Sequence, residues 1–503
     1  MYNLWNLSYT NRKRTTILSL IFSYIILCFD IIMNILLVPI YISNIGFHLY
    51  GIWLATGGLV AMLSFFDLGI SGFLTQRVAK EYGQNNYNNI SNYFFTGLIL
   101  HFIFMVLFAI LGITLSYFLS NIYSLSYYET ILISKAFKLT LFGTIFTLLN
   151  NSIDGTACSL HKPIFVKTTQ IFANIICLIT ILYTIKRGYS VLSIGYGLLI
   201  RGIFPFIFNL IYIIILFAKN KILTFKKDKN ILYEYYNLAP SILVSKFGNA
   251  VTGNIEPTLI ATFLNPEIVV FYSVTKSAAN MGKTIIDRIG GSIYPTLAHL
   301  KATTDEIYFV NKFKELINII FLITITIFSA YFILNKYFIS FWVNKESYLG
   351  DIFCLSISMG YCVWQMSSIT SYFLGAIGDI RYTSYVIFVE SMTKLLLLYL
   401  SIKFFGINGL PITLLIVSFI FTLIYLLRLK NKHSIAFEFK KFDIFYFIKF
   451  VCFILFVYSI NILISEIIKN SALVLLYNSL IFGLFYYFFF YNKINIIIKT
   501  LKF

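Results

Sequence analysis

Four polar side chains, Lys276, Asn280, Lys283 and Asp287, recur at spacings of 4, 3 and 4 inside an otherwise apolar stretch. That spacing sets all four on one face of a helix. Lys246, Asn249 and Glu256 share roughly one face of the preceding stretch, with Gly253 between them. Elsewhere Asp30 and Asn34 stand at i, i+4, Lys167, Gln170 and Asn174 cluster in one apolar run, and Arg201 sits near the middle of another. Glu390 and Lys394 form a further i, i+4 pair. An ionisable residue at mid-bilayer costs at least about 2.5–3.5 kcal/mol, so it faces a bundle interior or a water-filled cavity.

The chemistry open to these groups is recognition of a multiply charged anion. A cation about 4 Å from a phosphate gains up to about 4 kcal/mol at an effective dielectric of 20. Arg201, Lys246, Lys276 and Lys283, with Asn280, therefore read as a cationic cavity lining able to hold a diphosphate away from bulk water. Asp30, Asn34, Glu256 and Asp287 are either counter-ions to those cations or sites for a coupling proton or sodium ion, and the residues alone do not rank the two. Glu390 and Lys394 join that group, although their spacing also suits an ion pair along one helix. Lys135, Lys138 and Arg288 stand near the ends of apolar runs, where long side chains snorkel to the interface.

Other chemistries lack their residues. Met281-Gly282-Lys283-Thr284 looks like the end of a phosphate-binding loop, but Ser277 stands where that motif needs its first glycine, and the segment is apolar. The histidines His48, His101, His161, His299 and His433 have no metal-ligand spacing, and the six cysteines follow neither a zinc nor a disulfide pattern. No nucleophile elbow and no clustered acids in a long external loop are present, and the breaks are too short for a soluble catalytic domain. These features argue against an enzyme and call for no cofactor beyond coupling to H+ or Na+.

What positions the polar residues is a series of apolar runs filling the 503-residue chain: 59% of residues are hydrophobic, 12% are charged, and the mean hydropathy is +0.83. Fourteen runs, each near the roughly 20 residues a bilayer requires, are placed at 17–40, 50–74, 93–119, 131–152, 164–185, 190–218, 237–264, 267–292, 313–335, 350–376, 381–402, 405–427, 444–466 and 472–491. They are too long, and too apolar on all sides, for barrel strands; an all-α membrane protein follows. Basic clusters fall on every second break, including Arg12-Lys13-Arg14, Lys219 to Lys229 and Arg428 to Lys441. By the positive-inside rule both termini are cytoplasmic. The net charge of +19 is split among short loops, so it reports topology and attraction to anionic lipid headgroups, not nucleic-acid binding. The first apolar run is too long for a cleaved signal peptide.

The chain carries a weak internal repeat. Leu49-Tyr50-Gly51 matches Phe271-Tyr272-Ser273 at an offset of 222; Asp67-Leu68-Gly69-Ile70-Ser71 then falls level with Ile289-Gly290-Gly291-Ser292-Ile293. His161-Lys162-Pro163 matches Asp379-Ile380-Arg381, and Ile194-Gly195-Tyr196-Gly197 matches Ile407-Asn408-Gly409-Leu410, at similar offsets. A six-helix unit used twice accounts for this, and six spans return the chain to its starting side, so the repeats are parallel. The domain boundaries expected are 1–230 and 231–430 for the two six-helix lobes and 431–503 for two additional helices and a tail.

Pro39-Ile40-Tyr41, Leu49-Tyr50-Gly51-Ile52-Trp53, Phe66-Asp67-Leu68-Gly69-Ile70-Ser71 and Leu74-Thr75-Gln76-Arg77 together resemble the start of the bacterial polysaccharide exporter family. That family includes the Wzx-type O-antigen and capsule flippases of the multidrug/oligosaccharidyl-lipid/polysaccharide superfamily. Phe271-Tyr272-Ser273-Val274-Thr275-Lys276 resembles the family's eighth helix, while Leu374 to Arg381 and Gly406-Ile407-Asn408-Gly409-Leu410 resemble the region of helices 10 to 12. The resemblance implies a V-shaped bundle of two six-helix lobes around a central cavity, with two helices added. It implies translocation of undecaprenyl-diphosphate-linked oligosaccharide from the cytoplasmic to the periplasmic leaflet of the bacterial inner membrane, beside a polysaccharide polymerase and its chain-length machinery. A cationic cavity in the family agrees with the separate reading of Lys276, Lys283 and Arg201, whose replacement by Ala is expected to abolish export. Asp30 and Glu256 equally suit the drug-exporting branch of the superfamily, so a multidrug or peptidoglycan-precursor exporter is the alternative, and a membrane polymerase a weaker one.

Overall fold

The computed structural model describes residues 9–84, 86–222, 229–303, 305–433, 435, 458–460 and 471–484. Among them the regular structure is helical throughout, with no strand. The helices are α1 (Tyr9–Ile45), α2 (Phe47–Leu63), α3 (Ile70–Gly83), α4 (Tyr87–Tyr123), α5 (Tyr127–Ser159), α6 (Pro163–Lys186), α7 (Leu192–Lys219), α8 (Lys229–Phe263), α9 (Pro266–Thr303), α10 (Glu306–Trp342), α11 (Asp351–Ala376), α12 (Ile380–Phe405), α13 (Gly409–His433) and α14 (Ser471–Leu484). Nine helical stretches among the described residues are long and apolar enough to cross a bilayer. The protein is a multi-span membrane protein. α8 and α9 are 35 and 38 residues long but fall outside that set, because they carry the polar faces around Lys246 and Lys276.

The second expected span is not one helix. α2 ends in a 3-10 turn at Ser64–Asp67, and Leu68 and Gly69 then take φ of 48° and 72° before α3 begins. Gly69 meets that left-handed backbone without penalty, whereas Leu68 is strained there. The break exposes backbone groups that need partners; the Tyr235 hydroxyl donates to the Leu68 carbonyl at 3.2 Å. The thirteenth expected span is described only at 458–460, the fourteenth only over α14, and the rest of 431–503 beyond 433 and 435 lies outside the described residues.

Contacts divide the chain into two compact units, 1–269 and 270–503. α8 thus packs with the first unit, against α2, although by sequence it opens the second repeat. In the first unit α7 crosses α5 at Gly143 and Gly202. A Cβ on Gly143 would come within 2.5 Å of the Leu198 carbonyl oxygen, so only glycine allows this approach, the usual device of helix pairs in lipid. In the second unit the Tyr331 hydroxyl and the Asn335 amide of α10 both donate to the Thr275 carbonyl of α9, each at 3.0 Å. The Ser358 hydroxyl of α11 donates to the Phe328 carbonyl of α10 at 2.7 Å. These bonds fix α9, α10 and α11 side by side. Large apolar side chains such as Ile103, Phe102, Ile110, Phe172 and Ile179 remain exposed, which suits a surface solvated by acyl chains.

Candidate functional site

The face foreseen on α9 meets an aromatic and amide stripe on α11. Lys276 Nζ lies 5.1 Å from the centre of the Tyr272 ring and 5.8 Å from that of Tyr361. The Tyr361 hydroxyl donates to Asn280 Oδ1 at 2.7 Å. One turn on, Lys283 Nζ lies 4.4 Å from the centre of the Trp364 ring and 4.0 Å from Asp287 Oδ2. Gln365 Nε2 donates to Asp287 Oδ1 at 2.7 Å, while Gln365 Oε1 is buried without a hydrogen bond. Tyr361 and Trp364 pack edge to face at 5.8 Å. The structure therefore brings Lys276, Asn280, Lys283 and Asp287 together and adds Tyr361, Trp364 and Gln365. Cation–ring attraction holds an ammonium while covering one side of it.

In the first unit the polar residues pair with one another. Arg201 Nη2 of α7 donates to Asp30 Oδ1 of α1 at 2.7 Å, and Asn174 Nδ2 of α6 donates to the same oxygen at 3.1 Å. Gln170 donates on to Asn174 at 3.3 Å. Asn34, one turn beyond Asp30, is exposed. Lys167 is 2.8 Å from Asp154. Lys246 of α8 is 3.3 Å from Asp67 Oδ2, in the turn that breaks the second span. Glu256 is buried on α8. On α12 Lys394 is buried and Glu390 half-buried, with Tyr425 of α13 beside the acid.

Several functional candidates were not read from the sequence as such. Asp67 is 3% exposed and His101 is fully buried, with His101 Nε2 3.3 Å from Asp67 Oδ1 and its Nδ1 2.8 Å from Ser152 Oγ. The signal was an acid inside one apolar run and a histidine inside the next, but Asp67 reads first as part of a turn motif. Tyr361, Trp364 and Gln365 are ordinary residues of an apolar segment until α9 lies against them. Asp379, at the start of α12 and outside the spans, collects Arg428 at 3.1 Å, His433 at 3.0 Å and Lys432. Burial raises its carboxyl's pKa, but hydrogen bonds from Lys432, His433 and Arg428 outweigh this and hold it below the usual carboxylate range.

With that geometry in place, comparison with known proteins narrows the class. The MatE family model matches residues 54–184. No curated protein matches the sequence. Among solved structures, the lipid II flippase MurJ in an inward closed conformation superposes with a TM-score of 0.69 at 16% identity, covering 95% of this chain and 100% of that one. An inward-facing multidrug-resistance MATE transporter gives 0.64 at 15% identity, covering 79% and 96%. A transporter of the same MOP superfamily from Pyrococcus furiosus gives 0.59 at 14% identity, covering 83% and 94%. The fold is that shared by MATE transporters and the MurJ flippase. The proteins that share it here are transporters.

Proposed function

We propose that this protein translocates an undecaprenyl-diphosphate-linked oligosaccharide from the cytoplasmic to the periplasmic leaflet of the bacterial inner membrane, supplying O-antigen, capsule or another surface polysaccharide. The observation that carries the reading is the pairing of Lys276 and Lys283 with Tyr272, Tyr361 and Trp364. Two ammonium groups two helical turns apart, about 10 Å along the axis, suit the two ends of a diphosphate, and ring faces beside amides such as Asn280 and Gln365 suit a sugar with its apolar faces and hydroxyl rims. The likeness in fold to a lipid II flippase, over 95% of this chain, supports a lipid-linked cargo.

The mechanism proposed is alternating access. The diphosphate-sugar head enters from the cytoplasmic leaflet, the cations replace its water, and rocking of one repeat exposes it outward while the tail stays in lipid. A cargo bound equally well in both states shifts nothing, so direction comes from an H+ or Na+ gradient or from consumption by a polymerase. The basic breaks support a topology with both termini in the cytoplasm.

A second reading, export of drugs or of a peptidoglycan precursor, is favoured by the MatE match over residues 54–184. A strain lacking the protein separates them. Loss of surface polymer with diphosphate-linked oligosaccharide accumulating on the cytoplasmic side is expected. Unchanged polysaccharide and lipid pools would transfer the weight to drug export, and periplasmic accumulation would point to a polymerase.

A further inference from the structure

A single buried carboxylate in the first unit faces two bases from two helices. Asp67 Oδ2 lies 3.3 Å from Lys246 Nζ on α8 and 3.4 Å from Ser71 Oγ on α3. Asp67 Oδ1 lies 3.3 Å from Nε2 of His101 on α4, yet neither of those two atoms has an aligned hydrogen bond. Asp67 and His101 are enclosed, whereas the Lys246 side chain is 47% exposed. With a neutral imidazole the carboxylate and the ammonium balance. The acid beside Nε2 fixes the ring hydrogen there, since two lone pairs at that distance repel, and Nδ1 then accepts from the Ser152 hydroxyl. A further proton can enter at Nδ1 if Ser152 merely rotates its hydroxyl from donor to acceptor. The buried imidazolium then has Asp67 as its counter-charge, and Lys246, which alone of the two can reach solvent, is the cation that must yield.

We propose that His101 and Asp67 form a proton-binding site whose occupation releases Lys246 from Asp67, so that a proton and an anionic ligand of Lys246 bind together. The identity of that ligand as a lipid diphosphate rests on the function proposed above. The other titratable groups on the surrounding elements are His48 and Tyr50 on α2; Arg77, Lys80, Glu81 and Tyr82 on α3; Tyr87, Tyr93, Tyr117 and Tyr123 on α4; Tyr127, Tyr128, Glu129, Lys135, Lys138, Asp154 and Cys158 on α5; and Lys229, Tyr233, Glu234, Tyr235, Tyr236 and Glu256 on α8. Of these, Arg77 pairs with Glu234 at 3.1 Å, Asp154 with Lys167 at 2.8 Å and His48 with Glu129 at 3.2 Å, and Tyr235 donates to the Leu68 carbonyl. The cations paired with Asp67 are His101 and Lys246, each at 3.3 Å.

The test is a histidine-labelled NMR titration of the full chain in lipid nanodiscs, with the His101 signal assigned by its loss in His101→Gln. Two cations competing for one carboxylate oppose each other, so Lys246→Met and Asp67→Asn are expected to move the His101 midpoint in opposite directions. An unchanged midpoint in Lys246→Met overturns the proposal, and because Lys246 is half exposed this variant decides even where Asp67→Asn does not fold. Binding of undecaprenyl diphosphate is then measured at pH 8 and pH 6. Several-fold tighter binding at the lower pH, beyond the slope that remains in His101→Gln from the diphosphate's own ionisation, supports the coupling. An identical slope in His101→Gln overturns it and leaves the lipid reading standing. A shifted His101 midpoint with no undecaprenyl diphosphate bound at either pH upholds the proton site and defeats the lipid reading.

Discussion

The two units treat the cations of their helices differently. In the first, Arg201, Lys167 and Lys246 each lie within 3.3 Å of a carboxylate contributed by another element. In the second, Lys276 and Lys283 lie over aromatic rings, and Lys283 also stands 4.0 Å from Asp287 on its own helix. An ion pair between helices spends both partners' hydrogen-bonding capacity on holding the helices in place, and losing one partner strands the other's charge in low dielectric. A ring attracts an ammonium through its negative face and covers one side of it. The first arrangement suits a frame or a switch, and the second places cations against ring faces that can take part in binding.

The largest effect that would sharpen this contrast is on transport. Lys276→Ala with Lys283→Ala removes two contacts of up to about 4 kcal/mol each, so export of lipid-linked oligosaccharide is expected to fall by at least ~100-fold while the protein still reaches the membrane. Normal export, measured by surface polysaccharide and inner-membrane lipid extraction, would break the contrast. Asp379 tests it from the other side, because there the second unit does use ion pairs, at a loop outside the membrane. Asp379→Asn should lower stability in detergent by about 2 kcal/mol, discounted because its partners are partly exposed. The pH dependence has a definite sign. A carboxylate whose pKa is lowered by folding contributes its full stabilisation above its unfolded value near 3.8 and loses it as pH falls toward the folded value. The thermal midpoints of wild type and Asp379→Asn should therefore converge below about pH 4 and stay apart at neutral pH.

A smaller effect is expected at Asp30 and Arg201, both about one-third exposed. Asp30→Leu alone should cost about 1–2 kcal/mol, and Asp30→Leu with Arg201→Met should recover most of it, because replacing both charges leaves none stranded. A double variant that is stable but inactive in export would move Arg201 from the frame to the cargo site.

Much of this was legible in the chain. The first twelve apolar runs lie on described helices, and the fourteenth does over α14, because the need to satisfy backbone groups inside lipid leaves few alternatives. The face of α9 was legible for a related reason: a spacing of 4, 3 and 4 has one geometric meaning on a helix. What faces it was not, since Tyr361 and Trp364 become partners only when α11 packs there, and no local pattern encodes that. The break at Asp67 was hidden in the same way. Phe65-Phe66-Asp67-Leu68-Gly69 sits inside a continuous apolar run whose length alone allows one straight helix, and only the tertiary partners Tyr235, Lys246 and His101 make the interrupted form affordable. Polar groups whose partners lie on their own helix can be read from sequence; those answered from another helix cannot.

The finest test of the contrast is at Trp364. If the ring only fills space, Trp364→Leu and Trp364→Phe should behave alike. If the ring's negative face holds the Lys283 ammonium at 4.4 Å, the two variants should separate. Trp364→Phe keeps a weaker face and should change undecaprenyl diphosphate affinity by less than about twofold, whereas Trp364→Leu loses about 0.5–1 kcal/mol of cation–ring attraction and should weaken binding by roughly two- to fivefold. The same pair of substitutions in a Lys283→Gln background should show no separation. A difference that persists there would place the ring's contribution on the sugar and not on the cation, and the second unit's site would divide into a diphosphate end at the lysines and a sugar end at the aromatic rings.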